Sequence, residues 1–149
     1  MAMLHLAARD FSSGRATFLD SLPLASGRSA RIYVRIAVPG MEEPFLALLD
    51  TGAEWSVIDR EIAEQIGLSD ADGEPITLLH KDGSTAGTLV RTVVTMIADE
   101  GSALDVDATV FVPNDGWPRG RNFLGYSCFL DRIRIGLDPQ NNHIYFGAV

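Results

Sequence analysis

In this chain of 149 residues, Asp50 is the side chain whose setting asks for a chemical explanation. It ends a continuous apolar run, Phe45-Leu46-Ala47-Leu48-Leu49, and opens the segment Asp50-Thr51-Gly52-Ala53. A carboxylate at the end of such a run is costly to take out of water unless it is paired or hydrogen-bonded. Local physics leaves two readings open. Asp50 is either a functional carboxylate, or the first residue of an ordinary Asp-Thr-Gly turn whose side chain caps backbone N–H groups.

Other chemistries find less support. Gly125-Tyr126-Ser127-Cys128-Phe129 lacks the final glycine of a nucleophile elbow, and Ser127 to His143, with Asp138 between, spans too little chain for a serine hydrolase. His5, His80 and His143 are dispersed without metal-ligand spacing, so neither a metal nor a cofactor is expected. Phosphate-cradling Gly-Lys-Ser/Thr loops are absent.

Apolar-apolar-Asp50-Thr51-Gly52-Ala53 followed by Ser56-Val57-Ile58, with Phe123-Leu124-Gly125 later in the chain, resembles the signature of the retropepsin-like aspartic proteases. The likeness covers about residues 31–147. It implies a mainly β chain folded as a closed acid-protease barrel, with one short helix after the active-site loop and one near the C-terminus. It also implies peptide-bond hydrolysis by a water held between two aspartates, which share one proton because two carboxylates so close do not both ionise easily. One member takes a proton from the water as the other donates to the carbonyl oxygen.

Asp72-Gly73, Asp82-Gly83 and Asp115-Gly116 lack the middle Thr or Ser, so the chain carries a single triplet. The resemblance therefore implies a homodimer in which each subunit supplies Asp50. In the family, Thr51 would reach across the two-fold axis and Gly52 would bind substrate backbone. Ala53 and Glu54 beside the motif, and Leu79, Gly83 and Ser84 in a mobile flap over Leu79 to Thr88, complete the expected peptide-binding set, with Gly83 and Gly87 giving the flap its freedom. Phe123-Leu124-Gly125 would pack against the active-site strand.

Ala53 follows the retroviral version of the motif and brings no hydroxyl to the carboxylate, so a less acidic optimum than in pepsin-type enzymes is expected. Two departures remain. Glu54 and Tyr126 stand where retroviral relatives pair Asp with Arg, so that ion pair is not reproduced in the same form. Dimer contacts must lie elsewhere, and the strand His143 to Val149 is the candidate for an intersubunit sheet. The rival reading is a dimeric binding module that keeps the fold without cleaving.

The elements that must position Asp50 are legible as short strands. Ile32, Val34, Ile36 and Val38 alternate with Arg31, Tyr33 and Arg35, and Pro39-Gly40 ends the run. Phe45 to Leu49 has the length of a strand buried on both faces. Asp59 caps a two-turn helix with Glu61 in its first turn, Ile62 and Ile66 on one face and Gly67 just past its end. Ile76 to Leu79 and Gly87 to Ile97 flank Lys81-Asp82-Gly83-Ser84 as a hairpin, and Val106, Ala108, Val110 and Val112 mark another strand. Residues 113–122 form a loop around Trp117, which is either a binding contact or an aromatic covering the sheet. Trp55 is read as cleft, interface or core. Arg132 to Ile135 and Ile144 to Phe146 make a final hairpin.

Length allows one core of ordinary size, divided into an N-terminal arm or weak strand, 1–29, and a protease domain, 30–149. The charge of −8, from 12 Lys and Arg against 20 Asp and Glu, disfavours nucleic acid and anionic membranes as partners. No run reaches the ~18 apolar residues of a membrane span. Nothing resembles a secretory leader. The lone Cys128, expected as a buried thiol, excludes an internal disulfide. A cytoplasmic protein is the expectation.

Overall fold

The computed structural model describes residues 3–22, 31–68 and 73–149. Near the N-terminus, β1 (His5–Leu6) and β2 (Arg9–Asp10) pair as a small hairpin, followed by β3 (Gly14–Thr17). The expected boundary at residues 29 and 30 lies outside the described residues.

Next come β4 (Tyr33–Ala37) and β5 (Phe45–Leu49), an antiparallel pair that delivers the chain to Asp50. Val34, Ile36 and Val38 are buried and Arg35 is exposed, as alternation requires. Tyr33 departs from that pattern and is also buried. Leu19 bridges to Tyr33 through paired backbone hydrogen bonds of 2.8 and 2.9 Å, so the N-terminal segment runs alongside the strand at this residue. In β5 only Ala47 is wholly buried and the other four residues are half-buried, so the strand is less enclosed than its apolar run suggested.

After β6 (Ser56–Val57), α1 (Arg60–Gln65) begins at Asp59, whose carboxylate accepts the Ile62 N–H at 2.9 Å. It ends at Gly67, where φ is +77°, a conformation glycine adopts without strain. The chain continues through β7 (Glu74–His80), the 14-residue β8 (Gly83–Met96), β9 (Glu100–Gly101), β10 (Leu104–Pro113) and β11 (Phe123–Leu124). A 3-10 turn (Leu130–Arg132) leads into β12 (Ile133–Asp138) and β13 (His143–Ala148). The second helix expected near the C-terminus is only this single turn. Cys128 just before it has a left-handed backbone, φ 61°, and β12 starts at Ile133, which leaves no chain for an α-helix.

Six strands close a barrel in the order β10-β6-β11-β5-β4-β8, with β8 pairing back onto β10 from Gly87↔Pro113 to Met96↔Leu104. Val90, Val94, Met96, Val106, Ala108 and Val110 fill its interior together with Ile36 and Leu124. A second sheet, β12-β13-β3-β9, adds Phe146, Ile144, Ile133 and Ala16 to the same core. Burying a side chain such as Phe146 contributes about 2–3 kcal/mol relative to exposure.

Two expectations are corrected by this topology. β13 lies between β12 and β3, so both its edges are hydrogen-bonded within the chain and it offers none to a second subunit; the outer strands of that sheet are β12 and β9. Gly87 is not a point of freedom. It is buried where β8 crosses β10, and a Cβ there would stand 2.4 Å from the Val112 carbonyl oxygen and 2.5 Å from the Phe111 ring. No helix among the described residues is long and apolar enough to cross a membrane.

Candidate active site

Asp50 is held by two strands that meet in parallel. β11 inserts between β5 and β6, pairing Phe123 with Leu48 and Leu124 with Leu49, so the second motif lies alongside the first. The Asp50 N–H donates to the Leu124 carbonyl at 3.0 Å and the Leu48 N–H to the Asn122 carbonyl at 2.8 Å. The turn then reverses the chain: the Ala53 N–H donates to the Asp50 carbonyl at 3.2 Å, and the Gly52 N–H donates to Asp50 Oδ1 at 2.9 Å. That bond orients the carboxylate and leaves Oδ2 without a partner among the described residues. The two sequence readings therefore meet in one geometry, since Asp50 caps its own turn and also faces a cleft.

Among the described residues no ion pair joins the two motifs. Backbone bonds do, from the Tyr126 N–H to the Ala53 carbonyl at 2.8 Å and from the Ser127 N–H to the Glu54 carbonyl at 2.7 Å. The Gly125 N–H adds a bond to Ser56 Oγ at 2.9 Å, deep in the protein. Tyr126 is exposed, and Cys128 is half-buried rather than enclosed, because its left-handed turn carries it toward the surface.

The cleft holds about 950 Å³ between the Asp50 turn, the β7–β8 hairpin and the Trp117 loop. Of the residues singled out from sequence, it brings together Asp50, Gly52, Ala53, Glu54, Leu79, Ser84 and Phe123. Thr51, exposed in the turn, and Gly83, with φ +131° at the hairpin bend, are not among its lining residues; Leu124 and Gly125 lie buried behind it. The hairpin bend is the pair Lys81-Asp82, tighter than the four residues expected. Trp55 and Trp117 both line the cleft.

Sequence reading gave His80, which also lines the cleft, no role beyond a dispersed histidine, gave Asp59 only that of a helix cap, and passed over its buried partner Asn122. Besides capping α1, Asp59 accepts the Gly120 N–H at 3.0 Å, and its own N–H donates to Asn122 Oδ1 at 2.9 Å. These bonds tie the Trp117 loop to α1 and to the start of β11. The one sequence signal was Asp59 itself, whose cap role occupies a single carboxylate oxygen and leaves the other for a long-range partner. Among the described residues no group of three or more His, Cys, Asp or Glu side chains gathers to hold a metal.

Comparison with solved structures finds a retropepsin-like aspartic protease from Rickettsia conorii, 18% identical with a TM-score of 0.56, matched over 90% of this chain and 98% of that one. The retroviral protease-like domain of Ddi1 from Leishmania major is 16% identical with a TM-score of 0.51, matched over 78% and 94%. These likenesses show the fold. No curated protein matches in sequence. The aspartyl protease family matches residues 34–127, which run from the first barrel strand through both motifs. The barrel is retropepsin-like, and the chain belongs to the aspartyl protease family.

Proposed function

We propose that the protein is an aspartic endopeptidase that works as a homodimer, with Asp50 from each subunit forming the dyad. The observation that carries this is the Asp50 carboxylate at the cleft, with Oδ1 held by the Gly52 N–H and Oδ2 without a partner among the described residues. One such carboxylate is half of the required pair, and the second comes from a symmetry mate.

Between the two side chains sits a water. The ionised carboxylate takes a proton from it as its oxygen adds to the scissile carbonyl carbon, and the protonated partner donates to the carbonyl oxygen. Collapse of the tetrahedral diol breaks the C–N bond, with a proton passing to the leaving nitrogen. Gly52 binds substrate backbone, Thr51 links the two turns across the axis, and the β7–β8 hairpin closes over the peptide to exclude water.

The test is cleavage of an unstructured protein across pH by wild type and Asp50→Asn, with a statine-type inhibitor alongside and sedimentation to establish the dimer. The asparagine keeps an Oδ1 acceptor for the Gly52 N–H, so the fold is retained while the acid–base group is lost. Cleavage by wild type alone, blocked by the inhibitor, is expected. Equal cleavage by both proteins, or none by either under dimeric conditions, overturns the proposal.

A further inference from the structure

Beyond Ala86, whose carbonyl accepts the Asn114 N–H at 2.9 Å, the β7–β8 hairpin has no strand neighbour among the described residues other than itself: Leu78 to Thr85 pair with one another, in the register Leu78↔Thr85, Leu79↔Ser84 and His80↔Gly83. Ile76, Leu78 and His80 alternate with the more exposed Thr77 and Leu79, so one face turns inward over the cleft. His80 is at the tip. Its ring packs edge to face on Trp117 with centroids 5.9 Å apart, and Trp117 packs in the same way on Phe123 at 5.8 Å. Phe123 pairs with Leu48, two residues before Asp50. A continuous aromatic ladder thus runs from β11, beside the strand that presents Asp50, to the tip of the hairpin that lines the same cleft.

The lower part of the ladder is firmly held. Trp117 Nε1 donates to the Arg121 carbonyl at 2.8 Å, Asp59 holds Gly120, and Arg119 pairs with Glu61 at 2.6 Å on α1. The upper part hangs on a two-stranded hairpin, and an isolated hairpin is marginally stable in water. His80 Nε2 also lies 3.0 Å from Thr85 Oγ1, which fixes the ring on its own hairpin.

We infer that His80 and Trp117 form a clasp that sets the height of the hairpin over Asp50, making both positioning residues for peptide binding. The inference rests on the proposed protease function for its consequence, although not for its geometry. The wall loop is the fixed jaw and the hairpin the moving one. Each opening breaks one aromatic contact, and each closure restores the register between hairpin and carboxylate.

The test compares wild type, His80→Ala and His80→Phe by hydrogen exchange of the intact chain without substrate. His80→Ala is expected to speed exchange in residues 77–86 by roughly 2- to 12-fold, the range an aromatic pair of this kind spans, with the barrel strands unchanged. His80→Phe keeps a ring on Trp117 but not the Thr85 bond, and is expected to stay within about twofold of wild type. On an unstructured protein substrate, His80→Ala raises KM more than it lowers kcat, whereas simple loss of folded enzyme would lower kcat alone. Unchanged exchange in His80→Ala, or equal acceleration in both variants, overturns the clasp. The exchange measurement decides it even where wild type shows no cleavage, an outcome that would count against the protease function instead.

Discussion

Replacing Gly125 with alanine tests how the two motifs are joined. A Cβ at Gly125 would stand 2.4 Å from both the carbonyl carbon and the oxygen of Trp55, and 2.8 Å from the Ser56 nitrogen. Those are backbone atoms, so no side-chain rotation relieves the clash; β11 and the segment entering β6 must separate. Overpacking of this kind costs about 1–3 kcal/mol. Separation also breaks the Gly125 N–H bond to Ser56 Oγ, which contributes about 1 kcal/mol. The expected destabilisation is therefore about 2–4 kcal/mol, or a fall in Tm of about 4–16 °C for a chain of this length. Thermal and urea unfolding followed by circular dichroism would measure it, with Gly116→Ala as the control. At Gly116 a Cβ meets nothing within 4 Å, although φ is +78°, so only backbone strain of about 1–2 kcal/mol is added. A Gly125→Ala protein as stable as wild type, or more stable than Gly116→Ala, would refute the reasoning.

Two further substitutions probe the supports around the site. Asp59→Ala removes the cap of α1 and leaves the Gly120 N–H without its acceptor, so urea unfolding is expected to show a loss of about 2–4 kcal/mol; a loss below about 0.5 kcal/mol would sink the two-sided role assigned to this carboxylate. Asp138, at the β12–β13 turn, has its pKa lowered from 3.8, chiefly by the Asn141 side-chain amide at 2.8 Å; slight desolvation opposes this, while the Asn141 N–H, the charge of His143 and the Gln140 N–H reinforce it. Because the folded value lies below the unfolded one, the stabilisation is present above 3.8 and is lost as pH falls through the folded value. Wild type should accordingly be more stable than Asp138→Asn at pH 7, with the gap narrowing in acid. A gap that stays constant down to about pH 3 would show that the charge contributes nothing.

Strands whose partners are close in sequence were legible. The alternation of β4, the valines of β10, the cap and stop of α1 and the final hairpin each follow from residues within a few positions of one another. What escaped were effects of segments distant in sequence. Tyr33 is bridged by Leu19 of the N-terminal segment, Gly87 is constrained by Phe111 and Val112, and β13 is enclosed by β3 from the opposite end of the chain.

The same division holds at the site. Sequence alone determined that Asp50 would end an apolar strand and turn sharply at Thr51-Gly52, because a polar group after an apolar run and a glycine two residues on leave few other local conformations. It also determined that one chain carries one such carboxylate. Only the tertiary structure decided that Leu124 hydrogen-bonds Asp50, that the Trp117 loop forms a wall pinned by Asp59, and that His80 meets Trp117 over the cleft. These are contacts between residues 37 to 74 positions apart. Such pairings depend on closure of the barrel, which sums weak preferences along the whole chain and leaves no signature in any one window of sequence.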